Sequence, residues 1–244
     1  MSLLNKIRQV RDPLPQTAYS ARGSAANVPL HAPAGGPASA HAAQPGRFSN
    51  GLKEFLWQLE DIGRGNLLDL GQVSQNTLNF FIERNFKVYT EDVLVTWREF
   101  VRAEEERARQ RPVGAEVPDN TPSARAERFL TANLNHPKES FDAVLLWDVL
   151  DYLDKETVSR LMARLSTLVR DGAAILAIFH TRMPEQFYRY RVLDGLNLDL
   201  VLAPAVVPPQ HIYQNREIQD LFSRFRTSKT FVARDQLREI VFAK

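Results

Sequence analysis

The stretch NLLDLGQVSQNTLNFF, residues 66–81, decides how the rest of the chain is read. Leu67, Leu68 and Leu70 flank one acid, Asp69, in a run of strand length that ends in Gly71. A nucleotide-binding turn at this point usually offers two further glycines, and this chain has Val73 and Gln75 instead. Beyond the turn, Ser74 or Asn76 can cap a helix whose Leu78, Phe81 and Ile82 share one face. A buried strand, a tight turn and a capped helix together open an alternating α/β unit.

The same alternation extends on both sides. Upstream, Leu52, Phe55, Leu56 and Leu59 have helical spacing, with Gly63 placed to end the helix. Downstream, FKVYTED is a second strand ending in the acids Glu91 and Asp92. WREFVRAEEERARQR begins as a charged helix with opposite charges three and four residues apart, and it decays into Pro- and Gly-punctuated loop. FDAVLLWDVLDYL opens on an apolar run suited to a parallel strand covered on both faces. In DKETVSRLMARLSTLVRDG, Asp154 caps a helix with Val158, Leu161, Leu165 and Leu168 as its stripe, and Gly172 follows its end. AAILAIFH is the next strand, NREIQDLFSRF a further helix, and KTFVARDQLREIVFAK two strands about an RDQ turn. The pattern predicts a mostly parallel sheet with right-handed crossovers, closed by an antiparallel hairpin.

Residues 1–46 are different in kind. Ala, Pro, Gly and Ser dominate from Pro13 to Gly46, which predicts a disordered arm. Ahead of it, Leu3, Leu4, Ile7 and Val10 share a helical face that could dock on a partner. The folded domain is expected over 47–244, with the charged helical segment at about 97–123 as an insertion. The arm and the charged helix are the two places where a protein partner could be held.

Composition limits the function classes. The 244 residues include 31 bases and 29 acids, a net charge of +2, too even a balance for a nucleic-acid-binding face. There is no cysteine, which removes disulfides, thiolate metal sites and cysteine nucleophiles. No apolar run reaches the roughly 18–20 residues of a transmembrane helix, and no secretory leader is evident, so a cytoplasmic protein is expected. Histidines and carboxylates show no metal-ligand spacing.

In an open α/β sheet, ligands bind beyond the carboxyl ends of the strands. That rule selects Asp69–Gly71, Thr90–Asp92, the TANLN segment, Trp147–Asp148 and His180–Arg182. An acid about 20 residues after the first turn can accept from a ribose diol, and Glu91 and Asp92 fit that spacing. Capping of the next helix is the alternative for both.

In this order the features resemble the class I S-adenosylmethionine-dependent methyltransferases. LLDLG is similar to their first motif, KVYTED to the second strand, FLTANLNHPKESFDAVLLWDVLDYL to the adenine-contacting segment and fourth strand, and LSTLVRDGAAILAIFH to the fifth. The closing hairpin resembles their reversed seventh strand. The resemblance, over roughly 66–244, implies a Rossmann-like doubly wound sheet and S-adenosylmethionine as cofactor. It places that cofactor on Asp69, Gly71, Gln72, Glu91, Asp92, Asn133, Leu134 and Trp147. Val73, in place of a glycine, is expected to crowd the methionine moiety or shift the loop.

Two functions follow: a methyltransferase of unknown acceptor, or a non-catalytic relative serving as a protein-interaction module. A nicotinamide-dependent oxidoreductase fits less well, since the closing hairpin and the absent G-x-G-x-x-G argue against it. Asp148, His180 and Tyr213 are the candidates for a base, with Asp151 as a helix cap. The segment 181–217, which carries Tyr188, Arg189, Tyr190 and Arg191, is expected to cover a substrate or to form an amphipathic helix.

Overall fold

The computed structural model describes residues 46–112 and 114–244, and the side chains of residues 227 and 228 are set aside. The expected arm and its helical face lie outside these residues. The elements run β1 (Arg47–Phe48), α1 (Asn50–Gln58), β2 (Gly65–Asp69), α2 (Gln75–Ile82), β3 (Phe86–Thr90), α3 (Val93–Arg109) and α4 (Pro122–Asn133). They continue β4 (Phe141–Trp147), a 3-10 turn (Val149–Tyr152), α5 (Lys155–Leu168), β5 (Val169–His180), β6 (Phe187–Val192), β7 (Asn197–Ala203), α6 (Asn215–Leu221), β8 (Arg226–Val232) and β9 (Leu237–Ala243).

Six strands form the main sheet in the order β3-β2-β4-β5-β9-β8. β3, β2, β4 and β5 are parallel, while β9 runs antiparallel to both β5 and β8. This is the mixed, doubly wound Rossmann-like sheet that the resemblance implies, with the reversed last strand between β5 and β8. The chain leaves β2 for β3 on one side and returns for β4 on the other, so the sequence order reverses between β2 and β4. A ligand crevice is expected there.

Strand periodicity sorts the apolar side chains onto two faces. Leu68, Val144, Ile175 and Phe242 lie in register on the face covered by α3, α4, α5 and α6. Leu67, Leu145, Leu176 and Val241 belong to the opposite face, packed with Leu52 and Phe55 of α1 and Phe81 of α2. Both faces of the central strands are buried, which explains their nearly unbroken apolar sequence.

Helix starts follow local chemistry. Ser74 accepts from Thr77 N and caps α2, Asp92 accepts from Val95 N at 3.1 Å and caps α3, and Asp154 accepts from Thr157 N at 3.0 Å and caps α5. At α1, Gly51 N and Ser49 Oγ both donate to the buried Glu239 carboxylate of β9. A Cβ on Gly51 would lie 2.7 Å from Glu239 Cβ, so only glycine permits this approach.

Two expectations need correction. The TANLN segment is the end of α4, not a strand end: among the described residues no strand forms between β3 and β4, and the crossover there carries two helices. The charged run 97–109 is helical, as its charge spacing predicts; it continues α3 directly, and Arg125 and Arg128 of α4 tie it down through Glu104 at 3.1 and 2.7 Å. Segment 187–203 forms no helix. It is the antiparallel hairpin β6–β7, which pairs with β1 in a separate three-stranded sheet.

Candidate functional site

At the switch between β2 and β4, Asp69 ends β2 almost fully buried and accepts from Gly71 N at 3.0 Å. Its Oδ1 also accepts from the indole Nε1 of Trp147 at 2.7 Å. Burial, only partly offset by these two bonds, pushes the Asp69 carboxyl up to about 6.

Trp147 reaches Asp69 because β4 ends irregularly. Its register against β5 shifts between Leu145 and Trp147, and Trp147 adopts φ 49°, a left-handed backbone that bulky residues rarely take. A bulge of this kind re-aims a side chain. The indole turns over Gly71 and stacks on Tyr190 of β6, with ring centroids 5.4 Å apart and planes 5° from parallel. A Cβ on Gly71 would lie 2.3 Å from Trp147 Cδ1. The glycine is therefore required by an internal tryptophan in this conformation.

Around this pair lies a cavity of about 20 Å³, bordered by Gly71, Gln72, Asp92, Trp147, Asp148 and Arg189 among others. That volume holds about one water molecule. A drug-sized ligand occupies roughly 300–1,000 Å³. The crevice is in its expected place and is nearly filled by the chain itself.

The other expected residues divide clearly. Asp92 borders the crevice while also capping α3. Glu91 instead faces His136 at 3.5 Å. Asn133 donates back to Phe129 O at 2.9 Å inside α4, and Leu134 is fully buried in the core. Neither borders the crevice, because the segment that was to carry them there is a helix. Val73 is 54% exposed and does not border the cavity. The space over Gly71 is taken by Trp147 and not by Val73.

The polar groups of the crevice still bear on a cofactor. Gln72 Oε1 and Arg189 Nε are buried without a hydrogen-bond partner. Asp92 is raised above the usual carboxylate range, chiefly by burial, with Arg189 among the charges that counter it. Acceptors on one side and a guanidinium on the other suit a nucleoside that carries hydroxyls and a carboxylate. The donor set fits S-adenosylmethionine, while the space is taken by the Trp147 indole.

A second cluster lies at the ends of β4 and β5. Asp151 Oδ2 accepts from His180 N at 2.8 Å and from Nδ1 at 2.9 Å, while Asp148 Oδ2 stands 3.9 Å from His180 Nε2. Tyr190 Oη donates to Asp148 at 3.3 Å. Burial disfavours a charged His180, but the Asp151 hydrogen bond and the two carboxylates outweigh it and raise its pKa. Burial also lifts Asp148 to about 7, with His180 acting against that rise. Asp151 is thus the partner of the histidine and not a helix cap. Tyr213 is buried with its hydroxyl unpartnered and packs on Phe179 and His211. Among the described residues no group of three or more His, Asp or Glu could hold a metal ion, and no helix is long and apolar enough to cross a membrane.

Sequence reasoning missed the Trp147–Tyr190 stack and the Asp151–His180 pair. A tryptophan at the end of an apolar strand reads as core, and a hairpin partner 43 residues away leaves no local periodicity to find.

No family model matches the chain, and no curated protein does. Among solved structures, it is similar to a putative type 11 methyltransferase from Sulfolobus solfataricus, with a TM-score of 0.43 and 13% identity over 79% of this chain and 90% of that one. An S-adenosylmethionine-dependent methyltransferase from Mesorhizobium loti gives 0.43 and 13% over 78% and 96%. The 1,6-didemethyltoxoflavin-N1-methyltransferase of Burkholderia thailandensis gives 0.41 and 13% over 80% and 78%. The solved structures that this chain resembles thus include S-adenosylmethionine-dependent methyltransferases, while its own strand order carries the assignment of the fold.

Proposed function

We propose that the chain is an S-adenosylmethionine-binding methyltransferase whose cofactor crevice is closed by its own Trp147 until a ligand displaces the indole. The observation that supports this most directly is the pair of buried, unpartnered atoms, Gln72 Oε1 and Arg189 Nε, on the crevice at the switch point. A buried polar atom without a partner costs roughly 1–3 kcal/mol, which a ligand that pairs it would recover.

The cofactor, when bound, supplies a methyl group activated on a sulfonium. Asp92 and Gln72 would accept from nucleoside hydroxyls, and Arg189 would donate to a carboxylate. Asp69 keeps Gly71 N in place and has a second acceptor site occupied by Trp147. Moving Trp147 would free that acceptor of Asp69 for another donor.

A specific observation favours a second reading. Trp147 is fully satisfied where it lies, hydrogen-bonded to Asp69 and stacked on Tyr190. A plug that never moves would leave a non-catalytic module. Calorimetric titration of the purified chain with S-adenosylmethionine separates the two. Saturable binding is expected, and ligand at ~100 times Kd would add roughly 2.7 kcal/mol to the folded state. No binding at millimolar cofactor, in the wild type and in Trp147→Ala alike, leaves the module reading.

A further inference from the structure

The Trp147–Tyr190 stack is held at each end by a buried carboxylate. Asp69 Oδ1 accepts from the indole Nε1 at 2.7 Å, and Asp148 Oδ2 accepts from Tyr190 Oη at 3.3 Å. Asp69 is 1% exposed and Asp148 4%. Among the described residues neither is paired with a lysine or an arginine. A carboxyl at this depth keeps its proton unless a cation compensates the charge.

The surroundings compensate it poorly. His180 of β5 offers Asp148 the nearest cation, with Nε2 3.9 Å away and outside hydrogen-bond reach. The 3-10 turn adds Asp151, whose charge opposes a second one, and Tyr152, whose hydroxyl has no partner. Asp69 faces the indole from β4 and a further acid, Asp92, at the start of α3. Arg189 of β6 borders the crevice, and its charge bears on Asp92. Hydrogen bonds from the two rings and the charge of His180 favour ionised carboxylates, yet burial prevails and lifts Asp148 to about 7 and Asp69 to about 6.

We infer that the crevice is a proton-linked gate, in which the Trp147–Tyr190 stack closes over protonated Asp69 and Asp148 and opens as these two carboxyls ionise. This rests on the reading in which the indole leaves Gly71, and it adds what controls that movement. An indole off Gly71 uncovers Asp69, and a Tyr190 ring no longer backed by the indole uncovers Asp148, which borders the crevice. Each carboxyl then returns toward its ordinary 3.8, and its proton passes to water. The closed state therefore binds protons that the open state releases. Below about pH 4 both states are protonated and the balance is level; from about pH 4 to about 7 rising pH favours opening; beyond that it is level again. Loss of the proton from His180 removes the nearest cation and makes ionised Asp148 less favourable in the closed state, so it acts in the same direction.

The full chain carries three tryptophans, and 5-fluorotryptophan gives each its own resonance. That of Trp147 is identified by its loss in Trp147→Phe. The difference in its shift between H2O and D2O reads contact of the ring with water, with no cofactor present. It is expected to grow at least twofold from about pH 5.5 to about pH 8, while those of Trp57 and Trp97 stay constant. The double variant Asp69→Asn, Asp148→Asn keeps both acceptors without the charges and should hold the difference at its low-pH value throughout. Calorimetry with S-adenosylhomocysteine, in two buffers of different ionisation enthalpy, gives a second reading. Affinity should rise at least tenfold from about pH 5.5 to about pH 7.5, with net release of protons. A Trp147 difference that is flat with pH, one that still grows in the double variant, or binding without proton release would overturn the inference. No binding at any pH, beside a Trp147 ring that responds, would remove the cofactor and support the gate.

Discussion

Trp147 Nε1 donates to Asp69 Oδ1 at 2.7 Å while its ring stacks on Tyr190, so a strand from the sheet, a strand from the hairpin and the first binding turn meet in one side chain. Removing that side chain should open the crevice. Trp147→Ala is expected to cost about 3–5 kcal/mol of stability, as large-to-small core changes do. It should also tighten S-adenosylhomocysteine binding by roughly tenfold, a change of about 1.4 kcal/mol. Chemical denaturation and calorimetry measure the two effects. Unchanged affinity in a folded Trp147→Ala protein would refute occlusion, and Val73→Gly, at an exposed position, should leave affinity within about twofold.

Gly71 and Trp147 should be energetically coupled. Gly71→Ala puts a Cβ 2.3 Å from the indole in the wild type, and overpacking of this kind costs roughly 1–3 kcal/mol. In a Trp147→Ala background the clash is gone and the cost should fall to a few tenths. A double-mutant cycle from urea melts reads the difference, and strict additivity would show that the two do not touch.

Asp69 sets a pH dependence whose sign is opposite to that of a salt-bridged carboxylate. Its folded pKa of about 6 exceeds the ordinary 3.8, so the folded state binds the extra proton. Stability from this group is unaffected below about pH 4, falls as pH rises to about 6, and is level beyond it. The loss is on the order of 3 kcal/mol at most. Asp69→Asn keeps an acceptor for Trp147 and Gly71 without the charge. It should therefore unfold at higher urea than wild type at pH 7.5 and show no such advantage at pH 4.

Asp151 should govern the basicity of His180. Burial lowers the pKa of this histidine and the Asp151 hydrogen bond raises it, with the raising contributions prevailing. Asp151→Asn should lower it, as read from the imidazole Cε1–H resonance during a pH titration. The stability that His180 contributes is present below its unfolded pKa and lost as pH rises through the folded one. That slope should flatten in Asp151→Asn, and an unchanged resonance midpoint would mean that the pair is not coupled.

Much of the frame was legible in the residues alone. LLDLG, FDAVLLW and AAILAIFH are strands because largely apolar runs bounded by polar turns must be covered on both faces, KVYTED forms the half-buried edge strand beside them, and Ser74, Asp92 and Asp154 cap the helices that follow. The TANLN segment misled because the apolar residues just ahead of it, Phe129 and Leu130, satisfy a helix packed on α5 as readily as a strand. Glu91 and Asp92 were indistinguishable by spacing, and only the fold turned one toward His136 and the other toward the crevice.

By itself, then, the sequence determined the order of strands and helices and the position of the first turn, since local periodicity and capping carry that information. The state of the turn was decided elsewhere. Val73, which looked like the obstruction, points to solvent, and Trp147, 74 residues further on, fills the space because a bulge in β4 aims it at Asp69 and a hairpin strand backs it with Tyr190. Pairings at such separations have no local signature, so only the tertiary structure could show that the crevice is closed from within.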